Sequence, residues 1–197
     1  MLPDIDVFVD SPLSVSATNI MRLHTECFNT EIAEYCQTDP DPFGFDRLHY
    51  IQSVGESKML NIRHKPCVII AASGMMEAGR VKHHLANHID NPATTILCVG
   101  YCEPSTLGAK IMRGDETVSI FGIPHKVRAE LRRIDSLSGH GDYEEMLRYI
   151  SCQDQRKVKH LFIVHGEEET QQHFAQTLGE RGWKHVSIPA FREEVEL

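Results

Sequence analysis

The chain has 197 residues, 41% of them hydrophobic and 24% charged, which suits a globular protein of one large or two small domains with a substantial core. No apolar run approaches bilayer length and no charged-apolar-small pattern opens the chain, so neither a membrane span nor a secretory signal is expected. A net charge of −8 argues against a general nucleic-acid binder, though not against a nuclease with a local basic groove.

The opening Met1-Leu2-Pro3-Asp4 runs at once into a short apolar strand, Asp6-Val7-Phe8-Val9, and looks like a cut edge. That strand ends in Asp10-Ser11-Pro12-Leu13-Ser14. Helical spacing of Ile20, Leu23, Phe28 and Ile32 predicts one helix from about Val15 to Cys36. The breaker-dense stretch 38–44 is a loop, and Leu48 to Ile51 reads as a strand. Ser53-x-x-Glu56 is a capping box opening a helix through Asn61. Cys67-Val68-Ile69-Ile70-Ala71-Ala72 has the strongest pattern of a buried strand, and Ser73-Gly74 turns it into a helix from about Glu77 to His88. Thr95 to Val99 is a further buried strand, followed by a short helix opened by Ser105-Thr106-Leu107-Gly108. Val118 to Phe121 and His125 to Arg128 form a hairpin around residues 122–124. Leu131 to Ile134 is a strand, Tyr143 to Ile150 a helix, His160 to Val164 a strand, Phe174 to Gly182 a helix and Lys184 to Ile188 a last core strand.

Repeated strand-helix units predict an α/β fold, a mostly parallel sheet with helices on both faces. The hairpin near residue 122 interrupts the rhythm and is the best candidate for a boundary. None of the six cysteines forms a Cys-x-x-Cys pair, so a zinc ribbon is unexpected. Cys67 and Cys98 sit in strand patterns as small core residues, and the usage fits a reducing cytoplasm.

Ser138-Gly139-His140-Gly141-Asp142 and Val164-His165-Gly166-Glu167 carry the most chemistry. Each places an imidazole after an apolar strand and before a helix, where ligands bind in open α/β sheets. His140 suits a general acid or base, with Asp142 able to hold its tautomer. His165 suits a metal ligand. The plain alternative for both is a histidine satisfying loop hydrogen bonds. Glu167, Glu168 and Glu169 sit at a helix N-terminus, where capping explains them. Ser73-Gly74 opens a helix whose free N–H groups suit a phosphate, although an ordinary capped turn explains it equally well. Ser11, Ser105 and Thr106 occupy equivalent turns. His84 and His88 are spaced i, i+4, but no His-Glu-x-x-His motif surrounds them, and both read as surface residues. Lys126, Arg128, Arg132 and Arg133, then Arg156, Lys157 and Lys159, are candidates for a basic groove, with solvated edges the simpler reading.

Six stretches, in order, carry a family resemblance: Val9-Asp10-Ser11-Pro12-Leu13, 72–80 (Ala-Ser-Gly-Met-Met-Glu-Ala-Gly-Arg), Val99-Gly100-Tyr101, Thr106-Leu107-Gly108, Ser138 to Asp142 and Val164 to Glu168. The chain resembles the C-terminal part of metallo-β-lactamase-fold nucleases with a β-CASP insertion, such as RNase J-like enzymes and the endonuclease of mRNA 3′-end cleavage. The resemblance implies a β-CASP domain over 1–127 and a return into the metallo-β-lactamase domain over 128–197. It implies that His140 (motif B) assists proton transfer to the leaving group and that His165 (motif C) is a ligand of a zinc pair. It makes Ser73 and Gly74 the turn approaching substrate phosphates, and histidine at motif C favours RNA over DNA.

The family's His-x-His-x-Asp-His motif, its further His and its further Asp belong to an N-terminal half not seen in this chain. The expectation is therefore an inactive part of a cytoplasmic zinc ribonuclease. The expected partners are RNA, the N-terminal metallo-β-lactamase half and, as a homo-oligomer, a second copy, with no membrane. In the complete enzyme two zinc ions would activate and position a hydroxide, and this part would not retain them tightly. A non-catalytic interaction subunit of an RNA-processing complex is the alternative, and retention of both His140 and His165 speaks against it. A nucleotide-binding α/β module lacks both Gly-x-Gly-x-x-Gly and a Walker A lysine.

Overall fold

A computed structural model describes residues 4–134, 136–137 and 141–195. The chain divides into two compact units, Met1–Ser138 and Gly139–Leu197.

In the first unit β1 (Asp6–Asp10) lies between β2 (Leu48–Tyr50) and β3 (Cys67–Ala71), parallel to both, with Asp10 opposite Ala71. The central strand is the better covered: Phe8 and Val9 are buried, and Phe8 joins Ile51 and Leu60. Here one expectation is corrected. The Cys67–Ala71 segment forms a strand but at the sheet edge, leaving Val68 and Ile70 42% and 52% exposed. An apolar run reports strand propensity, not the number of neighbours the strand finds.

The single helix expected over 15–36 is also corrected. It is α1 (Pro12–Leu23), a one-turn 3-10 helix Thr25–Cys27, and α2 (Thr30–Tyr35). Ser11 caps α1 and Asn29 caps α2 by accepting from the Ile32 amide at 2.9 Å. An Asn that holds its own downstream amide starts a new helix. After β2, Ser53 and Glu56 close their capping box on α3 (Val54–Leu60).

The larger core of this unit gathers α4 (Arg80–His88), β4 (Thr95–Cys98), α5 (Leu107–Arg113) and β5 (Thr117–Ile120) around the fully buried Ile89, Ile111 and Ile120. Strand β6 (Ile123–Lys126) returns antiparallel to β5. Phe121 and Gly122, at φ 52° and 79°, make the two-residue turn, which matches the right-handed strand twist. Strand β7 (Glu130–Arg133) pairs in parallel with β4.

The second unit contains α6 (Tyr143–Ile150), β8 (Leu161–Phe162), α7 (Glu168–Glu180) and β9 (Val186–Ser187), with β8 parallel to β9. Leu147, Leu178 and Trp183 are its buried centre. Helix α7 starts at Glu168, earlier than the Phe174 expected from periodicity, because its polar first turn is still helical. Acidic side chains there complement the positive end of the helix dipole. The secondary structure is mixed α/β with mainly parallel pairing, as expected. No helix among the described residues is long and apolar enough to cross a membrane.

Candidate functional site

The turns that follow β1 and β3 stand side by side, because Asp10 and Ala71 are in register at the strand ends. Asp10 is fully buried there. Its carboxylate accepts from Ser57 Oγ at 2.5 Å, Arg80 Nη1 at 2.5 Å and His84 Nε2 at 2.7 Å. Burial alone would raise the Asp10 pKa, but the bonds from Ser57, Arg80 and His84 outweigh it and hold the carboxyl below its ordinary value. Arg80 also donates to the carbonyls of Ile51 and Gln52, at 3.2 and 2.6 Å. The His84 Nδ1 lies 2.6 Å from the Asn61 side chain. His84 was expected at the surface; it is buried, and that expectation is corrected. His88 is half-buried, and burial lowers its pKa.

The turn between β3 and α4 is held from both sides. Gly79 has φ 82°, and a Cβ there would lie 2.5 Å from the Ala72 carbonyl oxygen, so only glycine fits. The Gly108 amide donates to the Met75 carbonyl at 3.0 Å and the Leu107 amide donates to Glu77 Oε1 at 2.5 Å. These bonds tie the 73–79 turn to the turn before α5. A Cβ at Gly108 would lie 2.7 Å from Cys102 Sγ and 2.9 Å from the Met75 oxygen, so the close approach requires that glycine too.

The five residues expected to face a phosphate fall into two kinds. Gly74 and Ser105 are exposed and Ser73 half-buried. Open space surrounds the position a Gly74 Cβ would take, while the Gly74 carbonyl accepts from the Cys102 thiol at 3.4 Å. Ser11 and Thr106 are buried, and their hydroxyls cap helices: Ser11 accepts from the Ser14 amide at 3.3 Å, and Thr106 accepts from the Ala109 amide at 3.3 Å while donating to the Glu103 carbonyl at 2.6 Å. Ser105 Oγ donates to the Glu103 carboxylate. Cys98 and Cys102 meet at 3.6 Å between their sulfurs, and burial first, then the hydrogen bond from Cys98, pushes the Cys102 thiol up to about 11.

His165 belongs to the second unit. It is exposed in the turn between β8 and α7 with φ 66°, a left-handed conformation uncommon outside glycine. Glu167 stands at the N-cap of α7. Asp142 caps α6, accepting from the Glu145 amide at 2.9 Å in a full capping box, which a helical signature in the sequence (Asp followed three residues later by Glu) makes readable. His140 lies outside the described residues. Among the described residues no three His, Cys, Asp or Glu side chains gather as a metal site. Sequence reasoning missed the Asp10–Arg80–His84 cluster as a unit; its members are brought together only by the fold.

Residues 1–111 match the family described as the Beta-Casp domain, and residues 124–189 match the family described as the Zn-dependent metallo-hydrolase RNA specificity domain. A ribonuclease of Thermus thermophilus is 29% identical over 196 residues, covering 100% of this chain and 44% of that protein. An RNase J-like protein of Methanocaldococcus jannaschii is 28% identical over 190 residues, covering 96% of this chain and 41% of that protein. The transcription termination factor FttA of Methanosarcina mazei is 27% identical over 175 residues, covering 86% of this chain and 27% of that protein. The chain thus spans less than half the length of each of these relatives.

Proposed function

The chain belongs to the β-CASP family of metallo-hydrolases, and from that premise we propose that it is part of a zinc-dependent phosphodiesterase that hydrolyses RNA. The observation that carries the reading is the ordered pair of matches, a β-CASP domain followed by an RNA specificity domain, on one chain whose relatives include a named ribonuclease. We assign residues 1–127 to the β-CASP domain and 128–197 to the returning metallo-β-lactamase segment.

In this reading the Gly74 backbone, with Ser73 and Ser105, approaches the RNA phosphates. Ser11 and Thr106 support those turns through their caps and contribute less direct contact. Asp10, fixed by three donors, keeps the ends of β1 and β3 and the start of α4 in one rigid arrangement. His140 moves a proton to the leaving oxygen. His165 offers an exposed imidazole to a metal from the turn that precedes α7. Asp142 and Glu167 support the two histidine loops at their helix starts.

The residues described do not fit a complete zinc site, since no group of three or more ligand-type side chains gathers among them. Zinc ions therefore need ligands from the part of the protein that lies outside this chain, as the relatives' greater length allows. Residues 1–197 alone are then inactive and hold no zinc tightly. Six unpaired cysteines accord with a reducing, cytoplasmic setting. The test compares residues 1–197 with the whole protein from the same gene, measuring zinc content and cleavage of end-labelled single-stranded RNA. Zinc and cleavage are expected only in the whole protein. Stoichiometric zinc in the 197-residue chain, or a whole protein that holds zinc and leaves RNA intact, contradicts the proposal.

A further inference from the structure

We propose that a basic cavity in the second unit, at the start of β8 and β9, binds the backbone of single-stranded RNA. The cavity measures about 630 Å³ and is lined by Arg156, Lys159, His160, Lys184 and His185 among others. That volume lies within the range of ligand sites, roughly 300–1,000 Å³. None of its lining residues is acidic, in a chain with 28 acidic residues and a net charge of −8. An acid-free cavity that gathers cationic side chains concentrates positive potential locally, even in an acidic protein.

Among the other basic groups picked out by sequence, Lys126, Arg132 and Arg133 lie on strands of the first unit. Arg132 pairs with Glu130 at 2.5 Å. Within the cavity only Arg156 has an acidic partner among the described residues, Asp154 at 3.1 Å; Lys159 and Lys184 have none. The fold brings these lysines together because Lys159 leads into β8 and Lys184 into β9, and the two strands pair in parallel with Leu161 opposite Val186. Both strands therefore start at the same edge.

Rings accompany the charges. His160 and His185 stand 5.7 Å apart, and His160 stacks on Phe162 at 5.3 Å. Cations that follow a backbone, beside flat rings that accept bases, are the combination single-stranded nucleic acid selects. A bare polyanion has no use for the rings. The choice of RNA over DNA rests on the function proposed above. The cavity lies at the opposite end of β8 from His165, roughly 16 Å of extended chain away at about 3.3 Å per residue, so it is a second contact for the same strand of RNA.

The experiment measures binding of a fluorescent single-stranded oligouridylate to the 197-residue chain across a salt series. Lys159→Glu with Lys184→Glu is expected to weaken binding at least tenfold and flatten the salt slope, since each phosphate contact contributes about −0.7 to it. Lys126→Glu with Arg128→Glu, in the first unit, is expected to change little. Both substituted lysines are exposed, and circular dichroism verifies that the variants fold. Undiminished binding by the double lysine variant overturns the proposal, as does equal binding of a poly-aspartate peptide. If the whole protein fails to cleave RNA while this chain still binds it through Lys159 and Lys184, the phosphodiesterase reading falls and the cavity stands.

Discussion

His84 Nε2 lies 2.7 Å from Asp10 Oδ2, across 74 residues of sequence, with both side chains out of solvent. The pair fastens the middle of α4 to the end of β1. Arg80 and Ser57 complete the carboxylate's shell: Arg80 donates to Oδ1, and Ser57 shares Oδ2 with His84. A charge buried this completely is tolerated only because it is so fully bonded.

Removing the carboxylate should therefore be costly. Asp10→Ala leaves Arg80 and His84 facing a void, and a loss of about 3–5 kcal/mol is expected in chemical unfolding of the first unit. Asp10→Asn should fall between wild type and Asp10→Ala. The pH dependence has a definite sign. The folded Asp10 pKa is depressed, so its contribution is present above the unfolded carboxylate value, about 3.9, and is lost as pH falls through the lower folded value. Wild type should thus lose stability in acid more steeply than Asp10→Asn; parallel acid limbs would show that the cluster contributes nothing.

Gly79→Ala and Gly108→Ala should loosen the 73–79 turn. The first places a Cβ 2.5 Å from a backbone oxygen, the second 2.7 Å from a sulfur and 2.9 Å from another backbone oxygen. Overpacking of this kind costs about 1–3 kcal/mol, and the Gly79 change adds left-handed strain. Faster amide exchange around residues 73–79 in both variants is the expected signature. Gly74→Ala, with open space around it, serves as the unperturbed comparison.

Asp142 acts on α6 through its cap. Asp142→Ala should cost the second unit about 1 kcal/mol, whereas Asp142→Asn, which keeps an acceptor, should cost little. Thermal unfolding followed through Trp183, buried in that unit, reads the difference. Equal stability of the three proteins would mean the capping box contributes nothing there.

His165→Ala should leave the folding of this chain nearly unchanged, because the ring is exposed. In the whole protein it should reduce metal content at one position. His140→Ala should slow turnover with the metals retained. Metal analysis of both variants beside rates of RNA cleavage tests the division of roles; equal metal loss would contradict it.

Local chemistry made much of the fold legible. Ser53 with Glu56 announced one helix start, and α6 runs over Tyr143–Ile150 as its pattern predicts. Those signals reach only three or four residues, so neighbours in the chain suffice to realise them. The helix break at Asn29 was hidden because the apolar spacing continues through it, although Leu23 and Ile20 turn out 78% and 58% exposed. Periodicity marks where an apolar face would lie without saying whether anything covers it.

Composition, caps and strand patterns by themselves determined an α/β chain, and the ordered motifs pointed to the family. Tertiary structure alone decided that His84 is a buried partner of Asp10, that the Cys67–Ala71 strand takes an edge, and that Lys159 and Lys184 share a cavity. Each of these depends on segments far apart in the chain meeting at one place, and whether a side chain is covered or bonded is a property of that meeting rather than of its own stretch of sequence.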